Sequence, residues 1–199
     1  HTDLSYPLSV RCPIGGEVYP NEEFPDDGTG WVDLRPGNDT HGQRYYFVGW
    51  FNHWFLRWLP DRIETMARLW FILDDERYAH AATVLLERLM EVYPHMSGED
   101  LTYDGSDWGV YVKMLPTMWE GEELVDLVDA VELMLPRLDD DLLERFHASI
   151  FRPAFEAYRE KPAPSNWGSV WNAAFARFAV ITGDREILEF MLHEHPAAI

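Results

Sequence analysis

The sequence predicts an all-α fold assembled from αα-hairpins and preceded by a turn-rich segment. Three observations lead there. Apolar residues recur at three-and-four spacing in successive stretches from about residue 43 onward, which is the period of a helix with one buried face. Two junctions, Ile72-Leu73-Asp74-Asp75-Glu76-Arg77 and Ile181-Thr182-Gly183-Asp184-Arg185-Glu186, share one pattern: an apolar helix ends, turns tightly on Asp or Gly, and the next begins. Glycine and proline crowd into residues 1–42, where no apolar period survives.

Residues 1–42 contain strings such as Cys12-Pro13-Ile14-Gly15-Gly16 and Phe24-Pro25-Asp26-Asp27-Gly28-Thr29-Gly30-Trp31. Their Gly, Pro, Asn and Asp content predicts loop with at most short strands, packed on a helical domain over 43–199. The aromatic-dense stretch Tyr45 to Leu59 reads as helix closed by Pro60. Asp61 to Leu73 follows, with Ile63, Met66, Ala67 and Trp70 on one face and apolar residues beyond that stripe. Asp75 to Tyr93 carries Tyr78, Ala82, Leu85, Leu89 and Val92 on one face, and Glu122 to Leu135 carries Leu124, Leu127, Val128, Val131 and Leu135 before Pro136 stops it. Asp140 to Tyr158 carries Leu143, Phe146, Ile150, Ala154 and Phe155, with Pro153 placed to kink or divide it. Trp167 to Thr182 carries Trp171, Ala174, Phe175 and Phe178 and ends on Gly183; Asp184 caps a last helix through Ile187, Leu188 and Met191. No strand is expected among these helices. Hairpins of this kind cannot bury both faces alone, so they stack into a bundle, a solenoid or a closed toroid.

Lys and Arg number 16 against 35 Asp and Glu in 199 residues, a formal charge of −19, which argues against a nucleic-acid partner because phosphate neutralisation needs surplus cations. With 47% hydrophobic and 26% charged residues, the chain has globular rather than disordered composition, and no apolar run is long enough for a membrane span. Cys12 is the single cysteine, so no intrachain disulfide forms; position 15, where a CxxC knuckle needs its second thiol, is Gly15. No metal constellation of the required ligand count is present.

The segment from Pro162 to Ala174 carries the most chemical information. Pro164 prevents helix before it, Ser165 or Asn166 serves as N-cap, and Asn166 and Trp167 fall in or beside the first turn, where unsatisfied N–H groups and the macrodipole favour an anion. An Asn carboxamide there can donate to a carboxylate. On spacing alone, Asn166 could equally do no more than cap the helix while Trp167 packs inside.

Ser165-Asn166-Trp167, followed by Asn172-Ala173-Ala174 and the Gly183-Asp184 turn, resembles the helix that holds the catalytic Asn of heparinase II/III-like polysaccharide lyases. Asp107-Trp108-Gly109, Trp119-Glu120 leading into Leu127, Ala130, Leu133 and Met134, and Cys12-Pro13 through Asp26-Asp27-Gly28 resemble further parts of that family, so the likeness covers most of the chain. It implies an (α/α) toroid, here incomplete, that cleaves an acidic polysaccharide by β-elimination at a uronic acid, in a periplasmic or secreted enzyme. Asn166 is then the carboxylate neutraliser, and His53, Trp108, Trp119, Glu120 and Trp167 shape the cleft and bind substrate. In the family Tyr and His act as base and acid. The Tyr base lies well downstream of the Asn, and no Tyr follows Tyr158, so the base is expected beyond Ile199. No cofactor is expected in this chain; a structural metal would belong to a further C-terminal domain. Arg57, Arg62, Lys113, Arg152 and Arg177 are the cations available to offset the acidic surface near an anionic glycan.

Two other readings stand beside this one. A glycoside hydrolase on a similar toroid would use acids such as Asp107 and Glu120 as general acid and base, and a helical-repeat binding module would need no chemistry.

Overall fold

The computed structural model describes residues 9–27, 30–95, 100–102, 109–111, 118–160, 162 and 165–194. It is mostly helical, with little strand. The chain divides into two compact units, one of His1–Phe55 with Met96–Lys113 and one of Leu56–His95 with Met114–Ile199.

In the first unit the turn-rich segment forms two-residue ladders: β1 (Val10–Arg11) pairs antiparallel with β2 (Val18–Tyr19), and β3 (Trp31–Val32) with β4 (Arg44–Tyr45). What holds the loop between β3 and β4 is the fully buried Asp33. Its carboxylate accepts from the Arg35 backbone N–H at 3.0 Å, the Arg35 guanidinium at 2.8–2.9 Å, Asn38 Nδ2 at 2.8 Å and Thr40 Oγ1. The Arg35 guanidinium in turn lies over the Trp31 and Phe24 rings, 5.3 and 5.4 Å from their centroids. A third strand pair, β5 (Asp100–Thr102) with β6 (Gly109–Tyr111), interrupts the helices. That strand pair is absent from the sequence reading, because three-residue strands are too short to show a two-residue period.

The helices are α1 (Phe47–Leu73), α2 (Glu76–Val92), α3 (Met118–Met134), α4 (Asp140–Phe146), α5 (Arg152–Glu160), α6 (Ser165–Thr182) and α7 (Arg185–Glu189). Pro60 does not close a helix as the sequence predicts: α1 runs through it without interruption. Leu56, Leu59, Ile63 and Ala67 are all buried around it, and that packing offsets the missing N–H. Pro153 does divide its stretch, since a π-helical segment, His147–Phe151, separates α4 from α5 just before it.

Both predicted junctions turn through a left-handed residue, Asp74 at φ +52° and Gly183 at φ +71°, and each is followed by an aspartate that caps the next helix. Asp75 accepts from Arg77 N and Asp184 from Ile187 N. The α3–α4 turn uses the same device, with Asp139 accepting from Leu142 N.

Contacts fix the directions within the second unit. Arg57 and Arg68 on α1 meet Glu123 and Asp129 on α3 in that order. Gly121 of α3 lies against Val170 and Trp171 of α6, while Asp129 and Glu132 further along α3 meet Arg177 further along α6. Helices α1, α3 and α6 therefore run the same way. Glu76 and Glu87 of α2 meet Arg137 and Arg145, so α2 and α4 also share a direction. The unit is a series of stacked αα-hairpins. Its core joins the apolar stripe of α3 (Leu124, Leu127, Val128, Val131) to the aromatic stripe of α6 and the inner faces of α4 and α5. Tyr158 stacks on Trp171 at 5.3 Å and Phe151 meets Phe178 at 4.0 Å. The apolar surplus predicted for the end of α1 is not buried: Phe71, Ile72 and Leu73 are exposed, Ile72 by 74%.

Candidate functional site

Helix α6 begins at Ser165, so Asn166 and Trp167 lie in its first turn. Both are exposed, Trp167 by 43%, which decides against the reading in which Trp167 packs inside. The buried face of the helix is fixed by Trp171, Ala174, Phe175 and Phe178, and it leaves the Asn166 and Trp167 side chains exposed at the helix N-terminus. Asn172, from the same family-like motif, is buried at the rear of the helix.

The other predicted residues fare differently. Glu120 is only 5% exposed at the start of α3, a position where it joins the packing rather than presenting an open carboxylate. His53 and Trp119 lie on α1 and α3, but their side chains are outside what the structure describes, and Asp107 and Trp108 lie outside the described residues altogether. Asn166 and Trp167 are thus the predicted pair that the structure brings together.

Glu120 belongs to an acidic seam whose other members the sequence reading did not place in the site. Helix α3 carries Glu120, Glu122, Glu123, Asp126, Asp129 and Glu132 and no Lys or Arg. Glu123, 7% exposed, has Arg57 at 3.9 Å, yet burial pushes its carboxyl up to about 8, against the opposing pull of Arg57 and with help from Asp126, Glu120 and Glu122. Asp126 is pushed up to about 6, again by burial first and then by the charges of Glu64, Asp61, Asp129 and Glu122. The signal was available in the i, i+3 series of acids along α3; what the series could not show is which members are covered.

Between α3 and α6 lies a groove of about 380 Å³ lined by Glu122, Val125, Asp126, Ser169, Val170 and Ala173. A second groove, about 410 Å³, contains His147, whose Nε2 is 3.1 Å from Asp184 Oδ2, with Leu143 and Ile181 on its walls. Among the described residues, no group of three His, Cys, Asp or Glu is placed to hold a metal ion.

The cations expected to offset the acidity are already matched. Arg57 faces Glu123, Arg62 pairs with Asp61 at 3.1 Å, Arg152 with Glu186 at 2.7 Å and Glu156 at 2.8 Å, and Arg177 with Asp129 and Glu132. Lys113 lies outside the described residues. These side chains already face the protein's own acids, within one helix for Arg62–Asp61 and Arg152–Glu156 and between helices for Arg57–Glu123 and Arg177–Asp129. Among the described residues, no helix is long and apolar enough to cross a membrane. Neither a protein-family profile nor a curated protein matches this chain.

Proposed function

We propose that this chain is part of a periplasmic or secreted polysaccharide lyase that cleaves a uronic-acid-containing glycan by β-elimination, with Asn166 binding the uronate carboxylate. The observation that carries the reading is the exposed Asn166–Trp167 pair in the first turn of an 18-residue helix. Removing the proton α to a carboxylate builds negative charge next to charge already present. Neutral donors held in place lower that barrier: the Asn166 carboxamide N–H can donate to one carboxylate oxygen, and the helix N-terminus favours the anion as a whole. Trp167 offers an apolar face to a sugar ring. Arg152 and Arg177 are held by carboxylates, which leaves neutral donors of this kind for recognition near Asn166. The stacking of hairpins whose first helices run in one direction supports a toroid as their closed form. No residue of this chain is assigned as the proton-abstracting base.

The test is turnover of polyuronates by the full-length protein, followed by the ultraviolet absorbance of the conjugated double bond that elimination leaves in the product. Asn166→Ala should lower kcat by about 10²–10³-fold, the cost of one lost donor to a developing oxyanion. Unchanged turnover in that variant overturns the reading.

A further inference from the structure

The groove between α3 and α6 begins one helical turn from Asn166, since Ser169 and Val170 stand three and four positions further along α6 and share its exposed side. An α-helix rises about 5.4 Å per turn, close to the length of one sugar residue. A glycan whose uronate carboxylate sits at Asn166 therefore lays its neighbouring sugar over the groove. The floor there is apolar, from Val125, Val170 and Ala173, and suits the flat face of a pyranose ring. The rim is made of Glu122 and Asp126, both acceptors.

Among the described residues no cation forms an ion pair with Glu122 or Asp126. Arg177, on the neighbouring turn of α6, is held by Asp129 and Glu132, and Arg68 across the seam is held by Glu64 and Asp129. From α1, Asp61 and Glu64 face Asp126 with negative charge and Arg68 with positive charge at longer range. At neutral pH the groove presents net negative charge.

We propose that this groove is the subsite for the sugar next to the uronate, and that it selects an unsulfated sugar whose hydroxyl or amino hydrogens donate to Glu122 and Asp126. A sulfate on that sugar would lie against two carboxylates in a partly desolvated cleft, where like charges are not fully screened. The inference rests on the lyase reading for the position of the uronate. It goes beyond that reading by excluding the densely sulfated polyanions that a carboxylate-binding site alone would admit.

The experiment measures binding of two size-matched oligosaccharides to the full chain: one alternating glucuronate with N-acetylhexosamine, and its O-sulfated counterpart. The unsulfated probe should bind at least about tenfold tighter, a ratio set by the like-charge repulsion. In the double variant Glu122→Gln, Asp126→Asn the ratio should fall below about threefold, and raised salt should shrink it in the native chain. Far-ultraviolet circular dichroism of the variant shows whether the hairpins are intact, and Glu122→Gln alone, at an exposed position, gives the same comparison should the double variant unfold. Equal or tighter binding of the sulfated probe overturns the subsite, even where both probes lose affinity in Asn166→Ala and the uronate reading stands. An unsulfated probe that fails to bind, or binds independently of Asn166, overturns the uronate reading itself.

Discussion

Arg57 on α1 faces Glu123 on α3 at 3.9 Å, and the pairing does not keep the carboxylate ionised, because burial outweighs it and pushes the group up to about 8. A carboxyl whose folded pKa exceeds its unfolded value binds more protons when folded. Its stabilisation is complete below the unfolded value of 4.5 and is lost as pH rises through about 8; Asp126 acts likewise from 3.8 to about 6. Thermal unfolding of the native chain should therefore fall in midpoint from about pH 5 to about pH 9. Glu123→Gln should flatten that slope and gain about 2 kcal/mol over the native chain at about pH 9. Parallel pH profiles for the two proteins would count against a buried, protonated Glu123.

At Gly121, α3 lies close against Val170 and Trp171 of α6. A Cβ built there would stand 2.9 Å from Trp171 Nε1 and 3.1 Å from Val170 Cγ1, and Trp171 is fully buried and cannot swing away. Gly121→Val should cost about 1–3 kcal/mol through overpacking, read by urea unfolding. The gain in helix propensity expected from leaving glycine will not appear.

Asp184 joins three structures: it caps α7 through Ile187 N, meets His147 Nε2 at 3.1 Å, and has Arg152 at 3.7 Å. Asp184→Ala should cost about 1–2 kcal/mol, mainly as a lost N-cap. Asp184→Asn keeps a capping oxygen and should recover most of it. Equal losses in both variants would mean that charge, not the cap, carries the contribution.

Asp33 gathers donors from Arg35, Asn38 and Thr40, and the Arg35 guanidinium beside it holds its carboxyl far below the usual carboxylate range. A depressed pKa means stabilisation that is present above the unfolded value of 3.8 and lost as pH falls below it. Asp33→Ala should speed amide hydrogen exchange at His41, Gly42 and Gln43, whose N–H groups bond within this loop, while leaving exchange in α3 and α6 unchanged.

What the sequence disclosed was local. The stripes of α3 and α6 and the paired signals Asp74-Asp75 and Gly183-Asp184 were readable because a helix stripe and a left-handed turn followed by a cap are decided within a few residues. Pro60 was misread as a stop because its penalty of about 3 kcal/mol is a property of the residue, whereas the packing that offsets it belongs to the tertiary structure. The candidate site divides the same way. The place of Asn166 in a first turn follows from Pro164 and Ser165, whereas the burial of Glu123 depends on α1 lying across α3. The arginines show the limit most plainly: composition counts a cation, but only packing reveals Arg177 already bound to Asp129 and Glu132.

Because α3 and α6 lie side by side and point the same way, their peptide dipoles reinforce one another instead of cancelling. The starts of α3 and α6 are partly positive, that of Asn166 among them, while the returning helices α2 and α4 bring their partly negative ends to the same side. Starts and ends alternate there, so the dipole field is local to each helix terminus and does not extend as one sign along the stack.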